Sequence, residues 1–296
     1  QVLPDSLSDA LAQAGAATAD ALVFGGAGAR ALVELLLPDL WDPASGAVFA
    51  EEGDQQRFWK LTRRYAEELV ASSPAGTRVR ALYPDAGVAA MLKSQWTKTG
   101  EGEKTLAFEV AAITDRQPAR AGVDDVVVLA APDPQSLAAA VKAADAARDA
   151  GIPCVMFNPR LVSGDVGIGL NVRRLRDGFL STFATAYALR PVGEVGTVYK
   201  RWPGKWQVFV EDESAPGRYK LAGNGKGFDV APAGEALDLI FSQALSRSSA
   251  NNDGSSVERT GDGSRLAPTE ENQLGIGERV GSVVRGLQRF MKQLSQ

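Results

Sequence analysis

The sequence predicts an α/β protein, a Rossmann-like three-layer sandwich with a largely parallel sheet and an antiparallel C-terminal extension. Three observations carry this. From "TRVRALYP" at 77–84 to "IPCVMFNP" at 152–159, short apolar runs alternate with helical stretches, as in a parallel sheet covered on both faces. One run, "DDVVVLAAP" at 124–132, is so apolar that both of its sides must be buried. Beyond about residue 180 strands follow one another across short turns, which points to antiparallel pairing in the same sheet.

The elements follow in order. Residues 4–22 space Leu7, Leu11, Ala14 and Ala21 along a helical face, and Asp5 or Ser6 can cap its start. A buried strand is expected from about Ala31 to Leu37, and a long helix at 55–72 with Phe58, Leu61, Tyr65 and Leu69 as its stripe. The strand "TRVRALYP", the helix "DAGVAAMLKSQW" and the strand "KTLAFEVAAI" come next. After the apolar strand at 124–132 stands an alanine-rich helix, with Asp133 near its start and Gly151 at its end, and then the strand "IPCVMFNP". "FLSTFATAYALRP", "GTVYKRWPGKWQVFVE" and "GRYKLAG" read as strands, with Pro203-Gly204 as the hairpin signal. A helix at 231–246 closes a domain spanning 1–246. Residues 247–275, rich in Ser, Gly, Asn and charge, read as a flexible linker. Residues 276–296 then regain helical periodicity.

Composition removes several chemistries. Among 296 residues there is no histidine, which excludes Ser-His-Asp and Cys-His catalysis and His-ligated zinc. The single cysteine, Cys154, can form no internal disulfide or thiolate cluster, and its apolar setting suits a small hydrophobe. A net charge of −4 argues against general nucleic-acid binding. No apolar run approaches the ~20 residues that span a bilayer, so a soluble protein is expected. A start at Gln1 fits a targeting segment removed or a sequence trimmed. No carboxylate pair or metal-ligand spacing stands out, and neither a cofactor nor a metal nor an enzymatic activity is expected.

"FGGAGAR" at 24–30 resembles a dinucleotide fingerprint but follows a helix and precedes a strand, the reverse of the Rossmann order; it reads as a helix stop and a loop. A second glycine stretch has the right polarity. Gly164, Gly167 and Gly169 lie between the strand at 152–159 and a helix starting near Leu170, where backbone amides and a helix N-terminus could meet an anion. Arg160, Arg173, Arg174 and Arg176 cluster around it. Cations in a first helical turn are disfavoured by ~0.3–1 kcal/mol each and need a compensating anion, whether a phosphate, an acidic partner or carboxylates such as Asp165. No Gly-Lys-Ser/Thr follows, so this is not a Walker loop. Arg173 and Arg176 can equally be a solvated or internally paired face while Val172, Leu175 and Phe179 pack inward. Asn158 before Pro159 is a candidate anion or partner contact, or only a strand-exit turn.

Two further stretches are candidate contact surfaces. "YKRWPGKW" interleaves Tyr199, Trp202 and Trp206 with Lys200, Arg201 and Lys205, which suits a protein partner or, more blandly, tryptophans covering the core. In the tail, Val280, Val283, Val284, Leu287, Phe290, Met291 and Leu294 share one helical face, with Arg279, Arg285, Arg289 and Lys292 elsewhere. Such a basic amphipathic segment suits an anionic membrane surface, a partner's groove or the domain's own surface.

"FNPRL", "VGIGLNVRRLRDGFLSTFATAYALRP" and "VYKRWPGKWQVFVED", with "LPDSLSDALAQA", "VELLLPDL" and "LYPDAG" in the same order, resemble an uncharacterised domain family of cyanobacteria and plastids. The resemblance spans about residues 3–245, and 158–207 is its most specific block. That family includes the LOW PSII ACCUMULATION type-three proteins. The resemblance implies a factor of the chloroplast stroma, peripherally associated with the thylakoid membrane, that helps insert or stabilise a chlorophyll-binding core-antenna subunit of photosystem II alongside other assembly factors. It brings no catalytic residues. The glycines at 25–28 and the tail beyond 246 depart from the pattern. The alternative reading is a nucleotide- or phosphate-binding protein using the loop 164–174.

Overall fold

Nine strands form one sheet in the computed structural model, which describes residues 2–42, 46–47, 51–99, 102–103, 105–161, 170–192, 196–211, 219–223 and 225–252. The strands are β1 (Arg30–Leu35), β2 (Val79–Tyr83), β3 (Glu109–Ala112), β4 (Val126–Ala130), β5 (Cys154–Phe157), β6 (Ala184–Val192), β7 (Gly196–Arg201), β8 (Gln207–Glu211) and β9 (Tyr219–Leu221). Their spatial order is β9-β8-β7-β6-β1-β5-β4-β2-β3. From β3 to β6 all neighbours are parallel, and β6 to β9 are antiparallel. The expected parallel sheet with an antiparallel extension is therefore what the chain forms.

Side-chain alternation in the strands fixes the layers. Val33, Leu35, Ala81, Tyr83, Val128, Val155 and Phe157 point to one face, covered by α1 (Leu7–Gly25), α2 (Asp54–Ser72) and α3 (Ala86–Thr97). Leu32, Leu82, Val127, Leu129, Cys154 and Met156 point to the other, under α4 (Leu137–Asp149) and α5 (Leu170–Leu180). On that second face the antiparallel strands offer Val198, Val208 and Val210 to Leu237 and Phe241 of α6 (Gly234–Asn252).

Local chemistry sets the helix ends. Ser6 caps α1, its Oγ accepting the Asp9 N–H at 3.1 Å. Asp133 and Ser136 cap α4 reciprocally: each backbone N–H bonds the other's side chain, at 2.9 and 2.8 Å. The "FGGAGAR" glycines stop α1 at Gly25 and form a loop, as the sequence implies. Tyrosine hydroxyls tie the helices of the first layer to each other and to the sheet. Tyr199 donates to Gln13 at 2.6 Å, Tyr65 on α2 donates to Thr18 on α1 at 3.0 Å, and Tyr83 lies 3.2 Å from Thr62 Oγ1. The α1 and α2 backbones meet at Gly15, where a Cβ would stand 2.8 Å from the Glu68 carbonyl oxygen.

Four expectations shift. "KTLAFEVAAI" is strand only at Glu109–Ala112. Phe179 and Leu180 of "FLSTFATAYALRP" end α5, and β6 begins at Ala184. Helix α6 continues to Asn252, past the expected boundary at 246. On α5, Phe179 is buried as expected, but Leu175 is 45% exposed and Arg176 is buried, its Nε 2.9 Å from Asp177. Arg30 at the start of β1 donates to Thr182 just after α5 (2.9 Å), and Phe179 packs in the cluster with Leu32. On the same strand the Glu34 carboxylate is held by Arg190 (Nε–Oε2 2.7 Å). The linker and tail from 253 onwards, with Val280, Val284, Arg285, Leu287, Arg289, Phe290, Met291, Lys292 and Leu294, lie outside the described residues, as does 162–169 with Gly167 and Gly169.

Candidate functional site

In an open α/β sheet, ligands collect beyond the carboxyl ends of two adjacent strands whose following connections leave to opposite faces. β1 and β5 are such a pair, because β1 leads to α2 on one face and β5 to α5 on the other. The crevice between their ends is lined by Leu35, Leu36, Leu37, Leu40, Phe58, Leu61, Asn158 and Arg160. It brings Asn158 and Arg160 together, as the sequence implies, but in an unexpected setting.

Asn158 has a left-handed backbone, φ 44°, and is 3% exposed. Its Oδ1 accepts the Leu35 N–H at 2.7 Å, and its Nδ2 donates to the Leu35 carbonyl at 2.9 Å. The side chain acts as an extra rung between β5 and β1 and has its amide engaged with the fold. This corrects its reading as an anion or partner contact.

Arg160 folds back over the aromatic rings of α2, its guanidinium carbon 5.2 Å from the Phe58 centroid and 5.6 Å from that of Trp59. Asp133 lies 3.9 Å away. Burial pulls the Arg160 pKa below its ordinary value, against the opposing charge of Asp133. The leucines and Phe58 fill most of the remaining space, leaving about 10 Å³ for water-sized occupants, room for about one water molecule.

Of the α5 arginines, Arg173 is half-buried, Arg174 is exposed, and Arg176 is buried with its Nε 2.9 Å from the neighbouring Asp177. Among the described residues no group of His, Cys, Asp or Glu could hold a metal ion. Cys154 is buried and its thiol is pushed up to about 12 by desolvation, so it is no nucleophile.

The hairpin divides. Tyr199 and Trp206 are interior, 0% and 5% exposed, which corrects their reading as contact residues and matches the expectation of tryptophan over the core. The Trp206 ring lies against two cations, Arg190 at 4.8 Å and Lys200 at 5.4 Å. Lys205 is exposed, while Arg201 and Trp202 are half-buried; Trp202 packs against the core, and its ring meets that of Phe24 at 5.3 Å. Sequence reasoning missed Glu34, Arg190, Val23 and Phe24. The last two carried a signal, since they follow Leu22 around α1 away from its buried stripe.

Sheet, layers and crevice define a doubly wound α/β protein whose switch point, among the described residues, is apolar and nearly filled. The chain belongs to the DUF1995 family, a domain of unknown function, which matches residues 4–239. Comparison with the curated proteins finds no match. No described helix is long and apolar enough to cross a membrane.

Proposed function

We propose that the chain is a non-enzymatic assembly factor for photosystem II. It would work in the chloroplast stroma at the thylakoid surface, aiding insertion or stabilisation of a chlorophyll-binding core subunit through protein contacts and together with other assembly factors. The observation that carries the non-enzymatic part is the switch-point crevice. Where comparable sheets open for a ligand, this one is packed with leucines and a phenylalanine, and Asn158 is spent on Leu35. The photosystem part rests on the resemblance of residues 158–207 to the LOW PSII ACCUMULATION type-three proteins. Affinity isolation from solubilised thylakoids tests it: one photosystem II core-antenna subunit should co-purify with the tagged chain. Recovery no greater for that subunit than for unrelated thylakoid complexes defeats it.

A second reading, binding of a nucleotide or another phosphate ligand by 164–174, draws on the inward side of α5, where Arg176 is buried and Arg173 half-buried. It requires a ligand-dependent rise in Tm that Arg173→Ala with Arg174→Ala abolishes.

A further inference from the structure

Helix α6 is apolar on opposite sides. Leu237, Phe241 and Ala244 pack in one cluster with Val198 of β7 and with Val208 and Val210 of β8. On the outward side Leu239 is 58% exposed, Ala236 is exposed, and Ile240 is half-buried at the margin of that cluster. A surface helix sets its apolar stripe against a polar outer face, so apolar side chains on both sides mark a helix that takes a second cover. One exposed leucine alone is ordinary. Here the charge beside it is of one sign. Glu235 and Asp238 are exposed, neither is in an ion pair among the described residues, and no lysine or arginine occurs from 234 to 246.

The chain that continues from α6 matches this side in both respects. In 276–296, Val280, Val284, Leu287, Met291 and Leu294 share one helical face, and Arg279, Arg285, Arg289 and Lys292 stand against Glu278 as the segment's one carboxylate. Gly281 and Gly286 each weaken a helix by about 1 kcal/mol, so this stretch needs a surface to fold against. Its tether fits as well. Leu239 lies about 20 Å along α6 from Asn252 at 1.5 Å per residue. A flexible connection over 253–275 has a root-mean-square reach of about 24–29 Å. Contact within one chain is strongest when the reach of the connection is close to the span, as it is for a segment folding back along α6.

We propose that residues 276–296 fold back as a helix on the outward side of α6, their apolar face over Ala236 and Leu239 and their cations beside Glu235 and Asp238. The domain then holds its own tail. Any partner or surface that takes the tail must first compete with α6, which makes the contact a built-in brake on binding through this segment.

Distances between two spin labels on the full-length chain test it. Cys154 is 1% exposed and leaves introduced cysteines as the reactive ones. Lys142→Cys, exposed on α4, provides a fixed reference, and Ser282→Cys reports on the tail from the side opposite its apolar face. A narrow distance distribution is expected. Asp238→Lys with Leu239→Ser should lose it at an unchanged Tm, and so should Val284→Ser with Leu287→Ser, changes that leave the folded domain untouched. A broad distribution in the chain bearing only the labels shows a free tail and overturns the proposal. A narrow distribution that survives the α6 changes seats the tail elsewhere and overturns it too. So does a narrow distance seen on mixing singly labelled chains, which assigns the contact to a second copy.

Discussion

Replacing Asn158 separates its role in the fold from a role in binding. Its amide satisfies both backbone groups of Leu35, a residue with 0% exposure, so both groups lose their partner when the side chain is cut away. Each orphaned buried group costs about 1–3 kcal/mol. Asn158→Gly removes both bonds and tolerates the φ of 44°, and should cost about 3 kcal/mol. Asn158→Ala adds the left-handed backbone penalty of about 1 kcal/mol and should cost about 4 kcal/mol. In urea, with a slope of about 3 kcal/mol/M, the alanine variant should lose roughly 1 M in midpoint, and the glycine variant somewhat less. The slope itself should not change. An alanine variant with the wild-type midpoint refutes the clamp, because a residue kept only for a ligand or partner can be truncated without cost to folding.

Other positions give sharp expectations. Gly15→Val drives a branched side chain into the Glu68 carbonyl and should lower stability by about 1–3 kcal/mol by chemical denaturation. Arg80 is 3% exposed among Asp115 (2.9 Å), Asp124 (3.6 Å) and Glu109 (3.8 Å), so Arg80→Ala leaves buried Asp124 with Arg120 as its remaining partner and should cost about 3 kcal/mol. Burial would raise the Asp124 carboxyl, but hydrogen bonds and charge from Arg120, with the charge of Arg80, hold it below its ordinary value, while Arg78 lowers Asp125 to about 2. Depressed carboxyls favour the fold above the unfolded pKa of about 4, so stability should hold above that pH and fall as the pH drops toward 2. Arg78→Gln should flatten this part of the profile. Cys154, buried and with its thiol pushed up to about 12, should react with a disulfide reagent at neutral pH only as fast as the chain unfolds.

Much of the fold was legible because its strands are apolar on both sides and its helices carry standard punctuation. "VVVLA" at 126–130 is buried along its whole length between β5 and β2, and Ser6, Gly26 and Asp133 stand where caps and stops belong. The hairpin was legible in Pro203-Gly204, but the fate of each tryptophan was not, since exposure depends on partners distant in sequence: Trp206 rests on Arg190 and Trp202 on Phe24. The face of α5 was legible in part: Phe179 is interior as periodicity marks it, whereas Leu175 is exposed and Arg176 is buried beside Asp177. At the candidate site, sequence order brought Asn158 and Arg160 close together, while the rung to Leu35 and the stacking on Phe58 required knowing that β1 and α2 lie alongside.

The most direct test of the proposal that the chain acts by contact rather than by turnover is calorimetric titration of the full-length chain with nucleotides, sugar phosphates and inorganic phosphate. The filled crevice predicts no saturable heat with any of them. Stoichiometric binding that disappears in Arg173→Ala with Arg174→Ala, with folding intact, would contradict the account and return the loop to service as a ligand site.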